Sequence, residues 1–405
     1  MKLIAVLCFL GMILLPFLAR ADALDQWMTR TTPVPVLTIH EVIYAKGLFV
    51  AVASGAKPGE PRLIVSSNGV DWVRFVSFAQ FSLRSITYGS NGLFVAVGRT
   101  DIYDGTTRPG IIASTNGTNW SYFPTFGTQF GAKTNFEAVT YGNGLFVAVG
   151  EGGTVATSAD GTNWATHTTP TSYSLSAIAY GNGVWVAAGP RVSEGSSADT
   201  GGPRLISLDA TNWVQLDTDF NGAHLLFARG RFLAIAGDTF TTNAGPMRYS
   251  VDGTNWTDIA EPTTNFLRNV TYGGGLFTAV GRDVIKTSLD GTNWVRRFPA
   301  NSDVTNRLLS VAYGANTFVA VGDVILQSED IRPRMGIAPA PFSDFALWQF
   351  TLRGLSNALY RIQSTTNAVD WVPGNFIRAD GSEQNGPGIP ALPLHKFYRA
   401  VHVPE

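Results

Sequence analysis

One arrangement of apolar and polar positions returns along most of the chain. Its clearest copy opens with an apolar stretch, Phe136 to Tyr141, and a break at Gly142-Asn143-Gly144. A continuous apolar run, Leu145 to Val149, follows, then a shorter run, Val155 to Ser158, and the phrase Ser158-Ala159-Asp160-Gly161-Thr162-Asn163-Trp164. Short apolar runs closed off by Gly, Asn and Asp predict strands and not helices. The unit therefore predicts four strands, A to D. Gly142-Asn143-Gly144 supplies the positive φ of a tight A–B hairpin. Strand B is apolar throughout, as a strand packed on both faces must be. Asp160-Gly161 makes the C–D turn, where Asp bonds the backbone and Gly accepts the left-handed conformation. Trp164 opens strand D, its ring large enough to fill a wedge between neighbouring units.

The first half of the unit recurs at Tyr44, Tyr88, Tyr141, Tyr180, Phe227, Tyr272 and Tyr313, 39 to 53 residues apart. The second half ends at Trp72, Trp120, Trp164, Trp213, Trp256 and Trp294. Such a period, with four short strands per unit, signals the blades of a β-propeller. The halves do not match in number. The last copy runs from Tyr313 to Ser328-Glu329-Asp330 and breaks at Ile331-Arg332-Pro333 without a Trp. Near the other end, Leu24-Asp25-Gln26-Trp27-Met28-Thr29 resembles Asn163-Trp164-Ala165-Thr166. The expected architecture is an all-β, seven-bladed propeller over residues 24–334, with an N-terminal strand closing the last blade. Closure removes free sheet edges. Residues 335–405 lack the repeat. Phe345 to Leu352, Leu359 to Gln363 and Lys396 to His402 are strand-like there, between turns rich in Pro and Gly, and predict a small separate β domain.

Composition narrows the function. Of 405 residues only 15% are charged, and the net charge is -1. That excludes a large basic field for nucleic acid. The five His are scattered without metal-ligand spacing, and no cofactor motif stands out. Asp101 and Asp104 alone offer too few oxygens for calcium. Residues 1–23 read as a signal peptide: Lys2, the apolar run Leu3 to Leu18, and Ala19-Arg20-Ala21 or Ala21-Asp22-Ala23 for cleavage. The one cysteine, Cys8, lies inside it. The mature chain is expected to be secreted, periplasmic or on the cell surface, with no disulfide and no membrane span.

The phrase Ser-x-Asp-Gly-x-x-Trp resembles the Asp-box of sialidase-like and BNR-repeat propellers, one residue shorter between Asp and Trp. The whole repeat, over roughly residues 24 to 331, resembles the Ycf48-like propellers of photosystem II assembly and related secreted bacterial proteins. The resemblance implies that the Asp-box turns sit opposite the ligand face and are structural.

Internal copies serve as an alignment. A residue present in every copy belongs to the blade, which assigns Tyr88, Tyr141, Tyr180, Tyr272, Tyr313, Asp160, Asp252, Asp290 and the repeated Trp to structure. Function is expected where copies differ on the ligand face. Four residues before the repeated aromatic, the copies read His40, Arg84, Glu137, Ser176, Ala223, Arg268 and Leu309. The rest of strand A is expected to be apolar or small. Arg84 and Arg268, with Glu137 and His40, could hold a polar ligand at the channel mouth, Arg through its planar fork. The B–C connections are long at Ser54 to Pro61, Arg99 to Gly110, Pro190 to Pro203 and Asp238 to Pro246. Arg62, Arg108, Arg204 and Arg248 lie on or beside them. Long loops on a rigid scaffold commonly carry recognition. Acidic neighbours allow local salt bridges as the alternative use of these Arg.

No acid–base pair is evident. The expected function is a non-catalytic binding or interaction module taking a glycan or protein. A sialidase-like glycoside hydrolase is the alternative, needing an Arg triad, a Tyr backed by Glu, and an acid. An assembly or scaffold factor is the second alternative. The oligomeric state is open.

Overall fold

The computed structural model describes residues 24, 27–33, 37–55, 63–75, 81–101, 107–123, 135–190, 202–236, 246–260, 266–297 and 307–332, and seven strands beyond them. The predicted signal peptide and Arg62 lie outside the described residues, as does most of the predicted B–C loops at Ser54 to Pro61, Pro190 to Pro203 and Asp238 to Pro246. Among the described residues no helix is long and apolar enough to cross a membrane.

Seven four-stranded antiparallel sheets form the blades. Blade 3 is representative: Phe136–Gly142, Leu145–Gly150, Val155–Ser158 and Ala165–His167, hydrogen-bonded in that order. Strand B is buried beyond its first residue, with Phe146, Val147, Ala148 and Val149 all at 0% exposure. The reason is that each cluster of core residues straddles two blades. Val95, Val97 and Ile111 of blade 2, for example, pack with Phe136, Val139 and Phe146 of blade 3. Alternate residues of strand B thus face opposite neighbours, which makes an unpartnered polar group there costly.

The Tyr-Gly phrase has a steric cause. A Cβ on Gly142 would come within 2.6 Å of the Tyr180 ring in blade 4, and one on Gly314 within 2.0 Å of Tyr44 in blade 1. The glycine is the recess that receives the next blade's aromatic. Asn143 (φ 48°) and Gly144 (φ 80°) follow as the hairpin turn the sequence predicts.

The C–D turns repeat one hydrogen-bond pattern. Asp160 Oδ1 accepts from the backbone N–H of Thr162 and of Asn163, each at 2.8 Å, and Gly161 N–H donates to Ser158 Oγ at 2.8 Å. The Trp164 indole N–H donates to Gly161 O at 3.1 Å. Asp209 and Asp252 accept in the same way. The N–H of the following Asn and its side-chain amide hold Asp160, Asp209 and Asp252 well below the usual carboxylate range.

The ring closes as predicted. Strand Trp27–Arg30 pairs with Ile325–Ser328, in the order D-C-B-A of a complete blade. The Trp27 indole donates to Leu24 O at 2.9 Å, three residues back, as every repeated Trp does to its own turn. Fully buried Leu24 stands where five of the other turns have glycine and blade 4 has Ala210.

Contacts divide the chain at Arg332–Pro333. Beyond it, Arg334–Pro339 pairs with Leu347–Arg353, which also pairs with Gln384–Asn385 and Ile389–Pro390. A second sheet has Leu359–Thr365 between Val372–Arg378 and Phe397–Val403.

Candidate functional site

Strand A of each blade lines the central channel, a cavity of ≈ 480 Å³. Its chemistry comes from a bulge. In blades 1, 2, 3, 6 and 7 the A–B register slips by one residue, at His40, Arg84, Glu137, Arg268 and Leu309. Blades 4 and 5 do the same just outside the ladder. Ser176 N–H joins Ala177 opposite Ala188, and Ala223 N–H joins His224 opposite Ile235. A bulge puts two residues against one and re-aims the extra side chain. All seven of these residues line the channel, including the predicted four: His40, Arg84, Glu137 and Arg268.

Two of the four pair across a blade junction. Arg84 Nε lies 3.9 Å from Glu137 Oε2, with the side chains 39% and 27% exposed. Burial pushes the Glu137 carboxyl up, while Arg84 pulls it down. His40 Nε2 and Ser54 Oγ share a hydrogen bond of 2.8 Å. Arg268 enters from blade 6, which packs between blades 5 and 7. The ring therefore carries the Arg84–Glu137 pair on blades 2 and 3, His40 on blade 1 and Arg268 on blade 6.

The adjacent position in strand A corrects the expectation that it is apolar or small. It reads Glu41, Ser85, Ala138, Ala177, His224, Asn269 and Ser310, and the five polar side chains join blade to blade. Glu41 Oε2 accepts from Ile86 N–H at 2.7 Å, Ser85 Oγ from Val139 N–H at 3.0 Å, and Ser310 Oγ from Val42 N–H at 3.2 Å. Asn269 Oδ1 accepts from Val311 N–H at 3.3 Å. His224 Nε2 donates to Val270 O at 3.2 Å, and its Nδ1 accepts from the Asn269 amide at 3.2 Å. That arrangement needs a neutral imidazole, and burial pushes its pKa down to about 4. Burial raises Glu41 to about 7, against the opposing pull of its bonds to Ser85 and Ile86 N–H. Plain strand alternation would turn this position away from the channel. The bulge beside it explains why alternation fails.

The loop arginines divide. Arg204 is 8% exposed and binds Asp217 through Nε at 3.0 Å and the carbonyls of Gly253 and Thr254, at 3.2 and 2.6 Å. Its guanidinium stacks on Phe220 at 5.0 Å. Arg248 binds Asp258 Oδ1 at 2.7 Å and Phe220 O at 2.9 Å. These two clamp blade 4 to blade 5 and lie apart from the channel ring. Arg108 sits in a ladder: Phe94–Asp101 and Thr107–Ser114 extend the hairpin through much of the predicted loop, pairing Thr100 with Arg108.

No protein-family model and no curated protein matches this sequence. Solved structures do match in shape. YCF48 from Cyanidioschyzon merolae superposes with a TM-score of 0.53 at 14% identity, covering 75% of this chain and 98% of its own. Virginiamycin B lyase from Staphylococcus aureus gives 0.54 at 11%, covering 75% and 98%. PorZ, a surface component of the type-IX secretion system of Porphyromonas gingivalis, gives 0.56 at 11%, covering 90% of this chain and 59% of its own. The chain has the propeller fold. These neighbours include a lyase and a secretion component, so the fold by itself assigns no chemistry. The argument for function rests on the channel residues.

Proposed function

We propose that this chain is an exported, non-catalytic binding module whose glycan or protein ligand is held at the channel mouth by Arg84, Glu137, His40 and Arg268. The observation that carries the reading is the contrast along each strand A. Repeated aromatics are consumed by packing, while the bulged position presents six kinds of side chain from seven blades into one cavity. Arg62 and Arg108 remain candidates for contacts at the edge of that face. The leader-like N-terminus supports export, as does the likeness to a surface component and to an extracellular domain from B. thetaiotaomicron.

Hydrolysis of a sialidase kind is less well supported. Its Arg triad would have to converge, whereas Arg204 and Arg248 are engaged between blades 4 and 5. The repeated Tyr rings pack at a tilt on the core aromatic of strand B, as Tyr141 does on Phe146 at 4.7 Å.

A thermal-shift screen against polysaccharides, acidic sugars and envelope proteins tests the reading. A ligand at a hundred times its dissociation constant adds about 2.7 kcal/mol, a shift of a few degrees. The shift should vanish in Arg84→Ala or Arg268→Ala. A shift that survives both substitutions places the ligand elsewhere.

A further inference from the structure

The belt of inter-blade hydrogen bonds is incomplete, and the interruption has a chemical meaning. It runs through His224, Asn269, Ser310, Glu41 and Ser85, linking blades 5, 6, 7, 1, 2 and 3 in turn. At the next two junctions the corresponding residues are Ala138 and Ala177. The groups they would serve are the inward N–H of Ile178 in blade 4 and of Leu225 in blade 5. Ladder residues alternate between bonding the partner strand and pointing away from it. Ile178 and Leu225 hold the register of Val42, Ile86, Val139 and Val311, whose N–H groups point inward to a side chain. Both line the channel. Among the described residues no side chain bonds either inward amide.

We infer that these two neighbouring amides form a saccharide subsite, in which ligand hydroxyls take the place of the missing side-chain oxygens. The belt itself shows the fitting group. At two junctions the acceptor is a serine hydroxyl, and Ser85 both accepts from Val139 N–H and donates to Glu41. A hydroxyl can do both at once, which a carboxylate cannot. The inward face of a non-paired strand residue presents a carbonyl beside its N–H, so a partner that both accepts and donates can serve both groups. Ala138, Ala177 and the channel faces of Ile178 and Leu225 give an apolar wall for the C–H face of a sugar ring. The Arg84–Glu137 pair stands at the blade 3 end, where it can orient further hydroxyls. This assignment rests on the channel as a ligand site and specifies where in it a sugar binds.

The test uses the full exported chain, ¹⁵N-labelled, titrated with glucose, galactose, mannose and N-acetylglucosamine up to about 100 mM, a range that reveals millimolar binding. At least one sugar should move the Ile178 and Leu225 amide resonances. Ala138→Ser and Ala177→Ser complete the belt internally. They should weaken that sugar about tenfold or more, with the melting temperature held or raised, which shows that the variants fold. Unchanged affinity in both folded serine variants overturns the subsite. Shifts confined to Arg84 and Arg268 also overturn it, while leaving the channel-mouth reading intact. No response to any of the four sugars sinks the saccharide assignment, and protein binding at the mouth is then judged by the Arg84→Ala thermal shift alone.

Discussion

The two ends of each blade follow opposite rules. At the C–D turns, chemistry repeats: Ser158, Ser207, Ser250 and Ser288 each bond the Asp two residues on, and the Trp indole closes each turn. At the channel end of strand A, backbone geometry repeats through the bulge while the side chains change at every blade. One end is a fastening made many times over. The other is a fixed set of sockets with different contents. A repeat protein can thus keep its scaffold constant and place single-copy chemistry at one register position.

The contrast is sharpest if substitutions at a repeated position are interchangeable and those in the channel are not. The largest effect belongs to the repeated core. Phe146→Ala, Phe277→Ala and Phe318→Ala remove fully buried rings and should each cost about 3–5 kcal/mol, read from denaturant midpoints. A spread much wider than that would show that the blades are not equivalent.

The pH dependence comes next and belongs to the channel. Glu41 is raised to about 7 from 4.5, so its stabilising contribution is complete below about 4.5 and disappears as pH climbs through 7. His224 is lowered to about 4 from 6.5, so its contribution is present above 6.5 and disappears as pH falls through 4. Stability should therefore decline on both sides of mildly acidic pH. Glu41→Gln should flatten the alkaline limb and His224→Asn the acid limb, measured by calorimetry from pH 4 to 8. If both limbs persist in the double variant, the belt is not their source.

Smaller effects return to the turns. Asp160→Ala and Asp252→Ala should each cost about 1 kcal/mol, since the freed N–H groups are largely reachable by water. Smallest is Trp185→Phe. Trp185 fills the strand B position that is Phe in the other blades, fully buried with its indole nitrogen unbonded. Restoring Phe removes an unsatisfied donor and leaves a modest void, so stability should change by less than about 1 kcal/mol. A large loss would mean that blade 4 has repacked around the indole.

Much of this was legible in the chain. Repetition made the blades, the hairpin turns and the closing role of Trp27 readable, because a single-copy exception such as the missing seventh Trp stands out against six regular ones. The bulged residues Arg84, Glu137 and Arg268 were readable for the same reason. The neighbouring belt was missed because strand alternation sends adjacent side chains to opposite faces, and a bulge is invisible in a residue pattern. The variation at Glu41, His224 and Asn269 was nevertheless a usable signal, since the copies differ there as much as one position earlier. Arg204 and Arg248 misled because a loop boundary says nothing about which way a long side chain turns.

The strand that closes the ring also sets a clock. Arg30 and Gln327 bond across 297 residues of intervening chain. Bringing such distant ends together costs about 5 kcal/mol of loop-closure entropy, repaid only after the blades between them have formed. Residues 27–30 leave the ribosome before every other strand of the propeller and find their place last. Until then the C strand of the last blade shows an open ladder, and a neighbouring copy's N-terminal strand could add to it. Domain-swapped dimers should accordingly form during concentrated refolding and be absent after dilute refolding.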